Sequence, residues 1–167
     1  MILDRDGVLI ADDGYPHDPD SARINEGIVA FLTALRREGF RFGFATNQGG
    51  IGIGLYDWAC YEGMENYLDR ILCDQLAEPD FWLACGSHPR SCSPRLAAAH
   101  PWRKPGPGMI LEALSLTGAA PANSIMIGDR SSDMEAARAA GIPGVIFSGD
   151  VSRVAEVVME ASTRGKA

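Results

Sequence analysis

MILDRDGVLI, residues 1–10, places two aspartates, Asp4 and Asp6, one residue apart directly after a short apolar run. The apolar residues predict a buried strand that ends at Asp4. Asp-Gly pairs are common in turns, so this stretch taken alone is also consistent with a plain junction between a strand and a turn. A functional interpretation therefore depends on whether residues that bind anions or metals recur at the ends of later strands.

The composition is that of an ordinary globular protein. The chain has 167 residues, of which 46% are apolar and 22% are charged, so we expect one domain over residues 1–167. The net charge is −7 and the basic residues are scattered, which argues against nucleic acid as a partner. The sequence has neither an apolar run of about 18 residues nor a signal-like start, so we expect a soluble, cytoplasmic monomer with no membrane partner.

The hydrophobic pattern predicts strands and helices in alternation. After the first strand, short apolar runs predict strands at 40–46, 80–85, 124–129 and 144–149. Apolar residues at helical spacing predict helices at 25–40, 57–76, 107–118, 131–141 and 151–163. This alternation predicts an α/β fold in which a parallel sheet carries helices on both faces, a three-layer Rossmann-like arrangement.

Polar residues follow several of the predicted strands, where parallel sheets of this kind bind ligands. They are Asp4 and Asp6, Thr46 and Asn47, Arg103 and Lys104, and Asp129, Arg130 and Asp133. Asp4 and Asp129 suit Mg2+, which prefers oxygen ligands, and the cations suit a phosphate group. Each residue alone has a structural explanation, such as a helix cap for Asp129. Together they predict a metal site that faces a phosphate site.

Four of these segments also resemble the motifs of the haloacid dehalogenase (HAD) superfamily of phosphatases, in the same order and over essentially the whole chain. They are DRDGVL (4–9), the threonine of ATNQ (45–48), the lysine of RKP (103–105) and GDRSSD (128–133). Three longer stretches are similar to the branch that contains the heptose bisphosphate and histidinol-phosphate phosphatases. They are DDGYPHDPD (12–20), TNQGGIGIG (46–54) and RKPGPGM (103–109).

The resemblance implies a Mg2+-dependent phosphatase that acts on a small sugar phosphate. GYPH (14–17) and the Arg-Lys pair before a proline favour the heptose enzymes, which implies hydrolysis of the 7-phosphate of a heptose 1,7-bisphosphate in lipopolysaccharide biosynthesis. Histidinol phosphate or another polyol phosphate is the alternative substrate. A catalytically silent binding protein of the same fold is a further alternative, although Asp4 and Asp6 are both present. A nucleotide-binding oxidoreductase is disfavoured because GGIGIG (49–54) does not match GxGxxG.

The resemblance also implies residue roles. Asp4 would be the nucleophile that forms an aspartyl phosphate, and Asp6 would protonate the leaving alcohol and later accept a proton from water. Thr46 would hydrogen-bond the phosphoryl group, and Lys104 would stabilise its charge. Mg2+ would be held by Asp4, Asp129 and the main-chain carbonyl of Asp6. The positions implied to contact the sugar phosphate are Asp12, Asp13, Gly14, Tyr15, Asn47, Gln48, Arg103 and Arg130.

The chain departs from the family in the irregular loop at 86–106, where members hold a structural zinc through a Cys-x-His pair and a Cys-x-Cys pair. Cys85 matches the first ligand, but Ser87, His100 and Trp102 stand at the other three positions. The loop is ordered either without metal or by zinc bound to a rearranged set, and the sequence leaves both open. The rearranged set is Cys85, His88, Cys92 and His100.

Further departures concern the substrate. Gly49 replaces a serine and Ile53 replaces an arginine common in the heptose branch, so one cation that could meet a distal phosphate is missing. The intervals between the motifs leave no space for a large cap domain, so specificity is expected to come from the 86–106 loop and the 12–17 turn. The first strand is expected to be short, because fewer residues precede Asp4 than is usual in the family.

Overall fold

The computed structural model describes residues 1–97 and 99–164, and it contains the predicted parallel sheet. Its strands lie in the order β3-β2-β1-β4-β5, and each neighbouring pair is parallel. The strands are β1 (Ile2–Leu3), β2 (Gly43–Asn47), β3 (Trp82–Cys85), β4 (Met126–Gly128) and β5 (Gly144–Ile146). They are shorter than the sequence pattern predicted, but all the predicted strands are present.

The predicted helices are also present, and two short ones were not predicted. The long helices are α1 (Ile28–Arg37), α3 (Trp58–Asp74), α5 (Gly108–Thr117), α6 (Ser131–Ala139) and α7 (Val151–Arg164). The short helices are α2 (Gly49–Gly52), in the glycine-rich turn, and α4 (Pro94–Ala97), in the 86–106 loop. Among the described residues, no helix combines the length and the apolar character needed to cross a membrane.

Helices cover both faces of the sheet, which confirms the three-layer arrangement. Successive side chains of a strand point to opposite faces. Accordingly Leu3, Phe44 and Ile127 pack in one buried cluster with apolar residues of α1, α3 and α7. Their strand neighbours Ile2, Ala45 and Met126 pack in a second cluster with residues of α5 and α6.

The helix boundaries follow from local chemistry. Asp57 caps α3 as predicted, because its side chain accepts a hydrogen bond of 2.9 Å from the Cys60 amide. Gly118 ends α5 with φ of 64°, a left-handed conformation that glycine adopts without steric penalty. In α3 the apolar residues lie on one face, where Met64, Leu68 and Leu72 are buried.

The central strand β1 is short but is held on both sides. It pairs with β2 and with β4, and the Asp4 amide donates to the Ile127 carbonyl at 2.9 Å. The connection from Asp6 to β2 contains one 3-10 helix (Pro19–Ser21) and α1. The connection from β3 to α5 is a loop that contains α4. Among the described residues, no large domain is inserted over the carboxyl edge of β1, where Asp4 lies.

Gly43→Ala is expected to destabilise the fold. A Cβ at Gly43 would overlap the Phe81 carbonyl oxygen and lie 2.6 Å from the Phe81 ring, at the point where β2 pairs with the segment that leads into β3. Overpacking of this kind usually costs about 1 to 3 kcal/mol, which urea unfolding would measure as a lower free energy of unfolding.

Gly63→Ala is the matched control for this substitution. Gly63 lies inside α3 and has open space where a Cβ would stand. Alanine is favoured over glycine inside a helix by about 1 kcal/mol, so this variant is expected to be more stable than the parent. Equal effects of the two substitutions would contradict the close packing at Gly43.

Candidate active site

Three carboxylates meet beyond the carboxyl ends of β1 and β4. Asp4 follows β1, Asp129 follows β4, and Asp133 lies in the first turn of α6. One oxygen from each lies within 4.8 Å of the others, and this is the one such group of three ligand-type side chains found in the described residues. Because β1 and β4 are adjacent and parallel, residues more than 120 positions apart are brought together.

Two glycines permit this close approach. Gly7 has φ of 83°, and a Cβ on it would overlap the carboxylate of Asp129. A Cβ on Gly128 would likewise overlap the side chain of Asp133. Larger residues at either position would push the carboxylates apart.

The buried ammonium of Lys104 joins two of these carboxylates. Its Nζ lies 2.7 Å from Asp4 Oδ2 and 2.6 Å from Asp133 Oδ1, and it donates to the Ala45 carbonyl at 2.8 Å. Burial alone would lower the pKa of Lys104, but the charges of Asp4 and Asp133 raise it above its ordinary value. The lysine is therefore held charged, in ion pairs with two carboxylates and a hydrogen bond to one carbonyl.

The acidic residues still lack sufficient positive charge. Burial raises the pKa of Asp4 to about 7, with Asp133 and Asp6 adding to the rise and Lys104 opposing it. Burial and the charge of Asp133 also raise the pKa of Asp129. Within the described residues, the buried Oδ1 of Asp129 has no hydrogen-bond partner. An oxygen-preferring divalent cation fits this set, because it would stabilise the charged carboxylates.

Asp6 is held beside this group by two neighbouring side chains. Its Oδ1 accepts a hydrogen bond of 2.6 Å from Arg5 Nε, and its Oδ2 accepts one of 3.0 Å from Gln48 Nε2. The same Gln48 nitrogen donates to Thr46 Oγ1 at 2.8 Å. Gln48, predicted to contact the substrate, is only 1% exposed and lies behind Asp6 and Thr46, outside the cleft lining.

Arg5 is a residue of the site that the sequence analysis missed. It is fully buried, and its Nη2 donates to the Pro16 carbonyl at 2.7 Å. Its guanidinium lies 5.5 Å from the centre of the Tyr61 ring. The sequence signal that could have identified Arg5 was its position between two aspartates directly after a buried strand. A buried arginine requires anionic or carbonyl partners, and aspartates are anionic.

These residues border a cleft of about 320 Å³. Asp13, predicted to contact the substrate, does not line it; this residue is exposed and pairs with Arg23. Ser132 lines the cleft and was not predicted. The lining consists of Asp4, Asp6, Asp12, Gly14, Tyr15, Thr46, Asn47, Gly49, Arg103, Lys104, Arg130 and Ser132.

The cationic and amide residues of the walls are also fixed. The Asn47 side chain donates to the Lys104 carbonyl at 2.9 Å and accepts from the Lys104 amide at 3.0 Å. Arg103 Nη1 donates to the Ser87 carbonyl at 2.5 Å, and Arg130 pairs with Asp12. The 86–106 loop is thereby attached to the end of β2.

The four candidate zinc ligands do not converge. Cys85 Sγ lies 3.9 Å from His100 Nδ1, but that nitrogen accepts from the Trp102 amide at 3.2 Å. His88 Nδ1 accepts from the Arg90 amide, and Cys92 is exposed. In the described residues no three of the four form a ligand group. This arrangement does not fit a closed zinc site.

A larger cavity of about 600 Å³ lies at the opposite edge of the sheet, beside Met1 and Ser124. Its described lining contains no aspartate, glutamate, histidine or cysteine. The groups able to perform acid–base or nucleophilic chemistry converge instead at the carboxyl edge, which identifies the smaller cleft as the candidate active site.

The chain is similar to known phosphatases in sequence and in structure. Residues 101–165 match the HAD-hydrolase-like family. The D-glycero-beta-D-manno-heptose-1,7-bisphosphate 7-phosphatase of Escherichia coli K12 is 34% identical over 85% of this chain and 74% of its own length. The enzyme of that name from Mesorhizobium japonicum is 31% identical over 85% of this chain, which spans only 65% of that relative.

Two solved structures share the fold over nearly the whole chain. A HAD-like phosphatase from Mesorhizobium loti superposes with a TM-score of 0.86 at 29% identity, covering 97% of this chain and 85% of that one. The D,D-heptose 1,7-bisphosphate phosphatase of B. bronchiseptica, complexed with magnesium and phosphate, gives 0.83 at 25% identity and covers 96% and 97%. The chain therefore belongs to the HAD-like hydrolase family that includes the D-glycero-beta-D-manno-heptose-1,7-bisphosphate 7-phosphatases.

Proposed function

We propose that the protein is a phosphoric monoester hydrolase that removes the 7-phosphate of D-glycero-beta-D-manno-heptose 1,7-bisphosphate. The observation that carries this proposal is the constellation at the end of β1, where Asp4 lies beside Lys104 and Asp129, with Asp6 two residues further on. The relatives that bear this enzyme name are 31 to 35% identical to the chain.

The reaction proceeds in two displacements. A carboxylate oxygen of Asp4 attacks phosphorus, the bond from phosphorus to the sugar oxygen breaks, and Asp6 gives its proton to that oxygen. Water then attacks the aspartyl phosphate, Asp6 accepts its proton, and phosphate leaves while the Asp4 carboxylate is restored. Two separate carboxylates are needed, because one that is covalently bound to phosphorus cannot also transfer these protons.

Positive charge and hydrogen-bond donors stabilise the transferring group. The ammonium of Lys104, 2.7 Å from Asp4, lies next to the position where the phosphoryl group is attached. The Thr46 hydroxyl at the end of β2 supplies a donor. Phosphoryl transfer depends mainly on such positioning and electrostatics.

Mg2+ is the proposed cofactor. Asp4, Asp129 and the main-chain carbonyl of Asp6 would hold it, and it would supply positive charge to the phosphate oxygens. Both oxygens of Asp133 already face other groups, since its Oδ1 forms an ion pair of 2.6 Å with Lys104 and its Oδ2 accepts a hydrogen bond of 3.0 Å from the Arg130 amide. Asp133 therefore serves to hold the lysine. The magnesium and phosphate in the B. bronchiseptica relative support this assignment.

The cleft supports a small substrate. Its volume of about 320 Å³ is near the lower end of the range of roughly 300 to 1,000 Å³ for ligand pockets. Arg103 and Arg130 on its walls are available to the phosphates. Histidinol phosphate or another polyol phosphate is the second candidate, because Ile53 stands where the heptose branch has an arginine.

Phosphate release from heptose 1,7-bisphosphate is expected to require Mg2+, to stop with EDTA and to return with excess Mg2+. The physical reason is that the carboxylates and the substrate are all negatively charged. Histidinol phosphate, assayed in parallel, is expected to be turned over more slowly. Faster turnover of histidinol phosphate would reverse the substrate assignment, and turnover of neither would overturn it.

Asp4→Asn is expected to lower kcat by at least about 1000-fold, because an amide is a poor nucleophile for phosphorus. Asp74→Asn makes the same change at an exposed residue at the end of α3 and should leave kcat unchanged. Equal activity of Asp4→Asn and the parent would favour an unrelated mechanism. Absence of activity in the parent would favour the catalytically silent binding protein.

Zinc bound by the rearranged set in the 86–106 loop is one of the two alternatives that the sequence left open, and a loop ordered without metal is the other. Metal analysis of protein purified without added zinc tests it. Near-stoichiometric zinc that is lost in a Cys85→Ser variant would require the loop to rearrange so that its four candidate ligands meet. Because these ligands are separated and partly hydrogen-bonded, they do not form the four-ligand site that structural zinc requires, and we expect the purified protein to lack stoichiometric zinc.

A further inference from the structure

We propose that Gln48 is a positioning residue that orients two catalytic groups, Asp6 and Thr46, through the hydrogens of a single side-chain amide. This inference rests on the proposed phosphatase activity and adds a residue that acts without touching the substrate. Gln48 is 1% exposed, and its nitrogen lies within hydrogen-bond distance of both groups.

The orientation of the amide follows from its other partners. Gln48 Oε1 lies 3.1 Å from Arg5 Nη2 and 2.6 Å from the Tyr56 hydroxyl. Arginine can only donate hydrogen bonds, so the atom that faces it must be the amide oxygen. The amide nitrogen is consequently turned toward Asp6 and Thr46, and a flipped amide would set two donors against each other.

The carboxyl group of Asp6 is therefore held at both oxygens. Arg5 binds one and Gln48 binds the other, which prevents rotation of the group about its Cβ–Cγ bond. Each carboxyl oxygen has two acceptor sites, so each keeps one for proton transfer. A proton donor fixed in this way meets the leaving oxygen without first having to be ordered.

The same amide determines how Thr46 is used. Its Oγ1 accepts the hydrogen bond from Gln48, so the threonine hydroxyl keeps its own hydrogen available to donate. A donor at this position is what a negatively charged phosphoryl oxygen requires. Gln48 thus orients Asp6 for proton transfer and Thr46 for donating a hydrogen bond to the phosphoryl group.

A second layer of contacts supports the amide on the side of the 12–17 turn. The Tyr56 ring, whose hydroxyl binds Gln48, stacks on the His17 ring with centroids 4.6 Å apart. His17 Nδ1 is 2.7 Å from the Tyr15 carbonyl, and Arg5 bonds to the Pro16 carbonyl. The 12–17 turn, which carries Tyr15 into the cleft, and the carboxylate of Asp6 therefore share the same supports.

The test is a comparison of leaving groups. Phenyl phosphate has a poor leaving group that must be protonated, whereas p-nitrophenyl phosphate has a good one that needs little help. Gln48→Leu is expected to lower kcat/KM about 100-fold for phenyl phosphate and about 10-fold for p-nitrophenyl phosphate, in line with the size of general-acid effects. The 10-fold loss reflects the altered orientation of Thr46, which hydrogen-bonds the phosphoryl group of either ester.

Two further variants separate positioning from folding. Gln48→Glu keeps the size of the side chain and an acceptor for Arg5, but it presents an oxygen to Asp6 in place of an N–H and is expected to show the same unequal losses. Tyr56→Phe removes only the hydroxyl that binds Gln48, so it is expected to lower kcat/KM for both esters by less than the Gln48 variants do. Tyr67→Phe is the control, since this tyrosine packs on the core away from the network and should change neither value.

Equal losses for the two esters in Gln48→Leu and Gln48→Glu, or no loss, would overturn the proposal and leave the phosphatase activity standing. A parent protein that hydrolyses neither ester nor any sugar phosphate would overturn the proposed function, and the inference with it. Unequal losses with thermal unfolding of Gln48→Glu near that of the parent would support positioning over a purely structural role.

Discussion

The site depends on the buried ammonium of Lys104, which lies between Asp4 and Asp133. This one group joins the end of β1, the start of α6 and the end of the 86–106 loop. Removing one partner of a buried ion pair typically costs about 3 to 5 kcal/mol, because it leaves an uncompensated charge. The lysine thus keeps the Asp4 carboxylate in place while the site still holds more negative than positive charge.

That remaining excess of negative charge explains why the site suits both a cation and a phosphate. Asp129 carries a buried oxygen without a partner among the described residues, and Gly7 allows it to approach β1 closely. A divalent cation would complete the charge balance, and its remaining positive field would favour an incoming phosphate. The carboxylates, the lysine and a cation bound beside them would thus form one electrostatic arrangement.

A second arrangement surrounds Asp6. Arg5 and Gln48 are both buried and bonded to it, and Tyr56 completes the set. Hydrogen bonds between buried groups fix side-chain orientation more firmly than those between exposed groups do. The two aspartates of DRDG therefore differ in environment: one is paired with a lysine, and the other is held by an arginine and an amide.

The sequence by itself determined the order of strands and helices, the parallel sheet and most of the residues that line the cleft, because hydrophobic periodicity and motifs at strand ends are local properties of the chain. Only the tertiary structure decided that Gln48 lies behind Asp6 and Thr46, that Asp13 pairs with Arg23 outside the cleft and that Arg5 belongs to the site. It also separated the candidate zinc ligands of the 86–106 loop. These outcomes depend on strand register and on contacts between residues distant in the chain, such as Arg5 and Gln48, which no local pattern specifies.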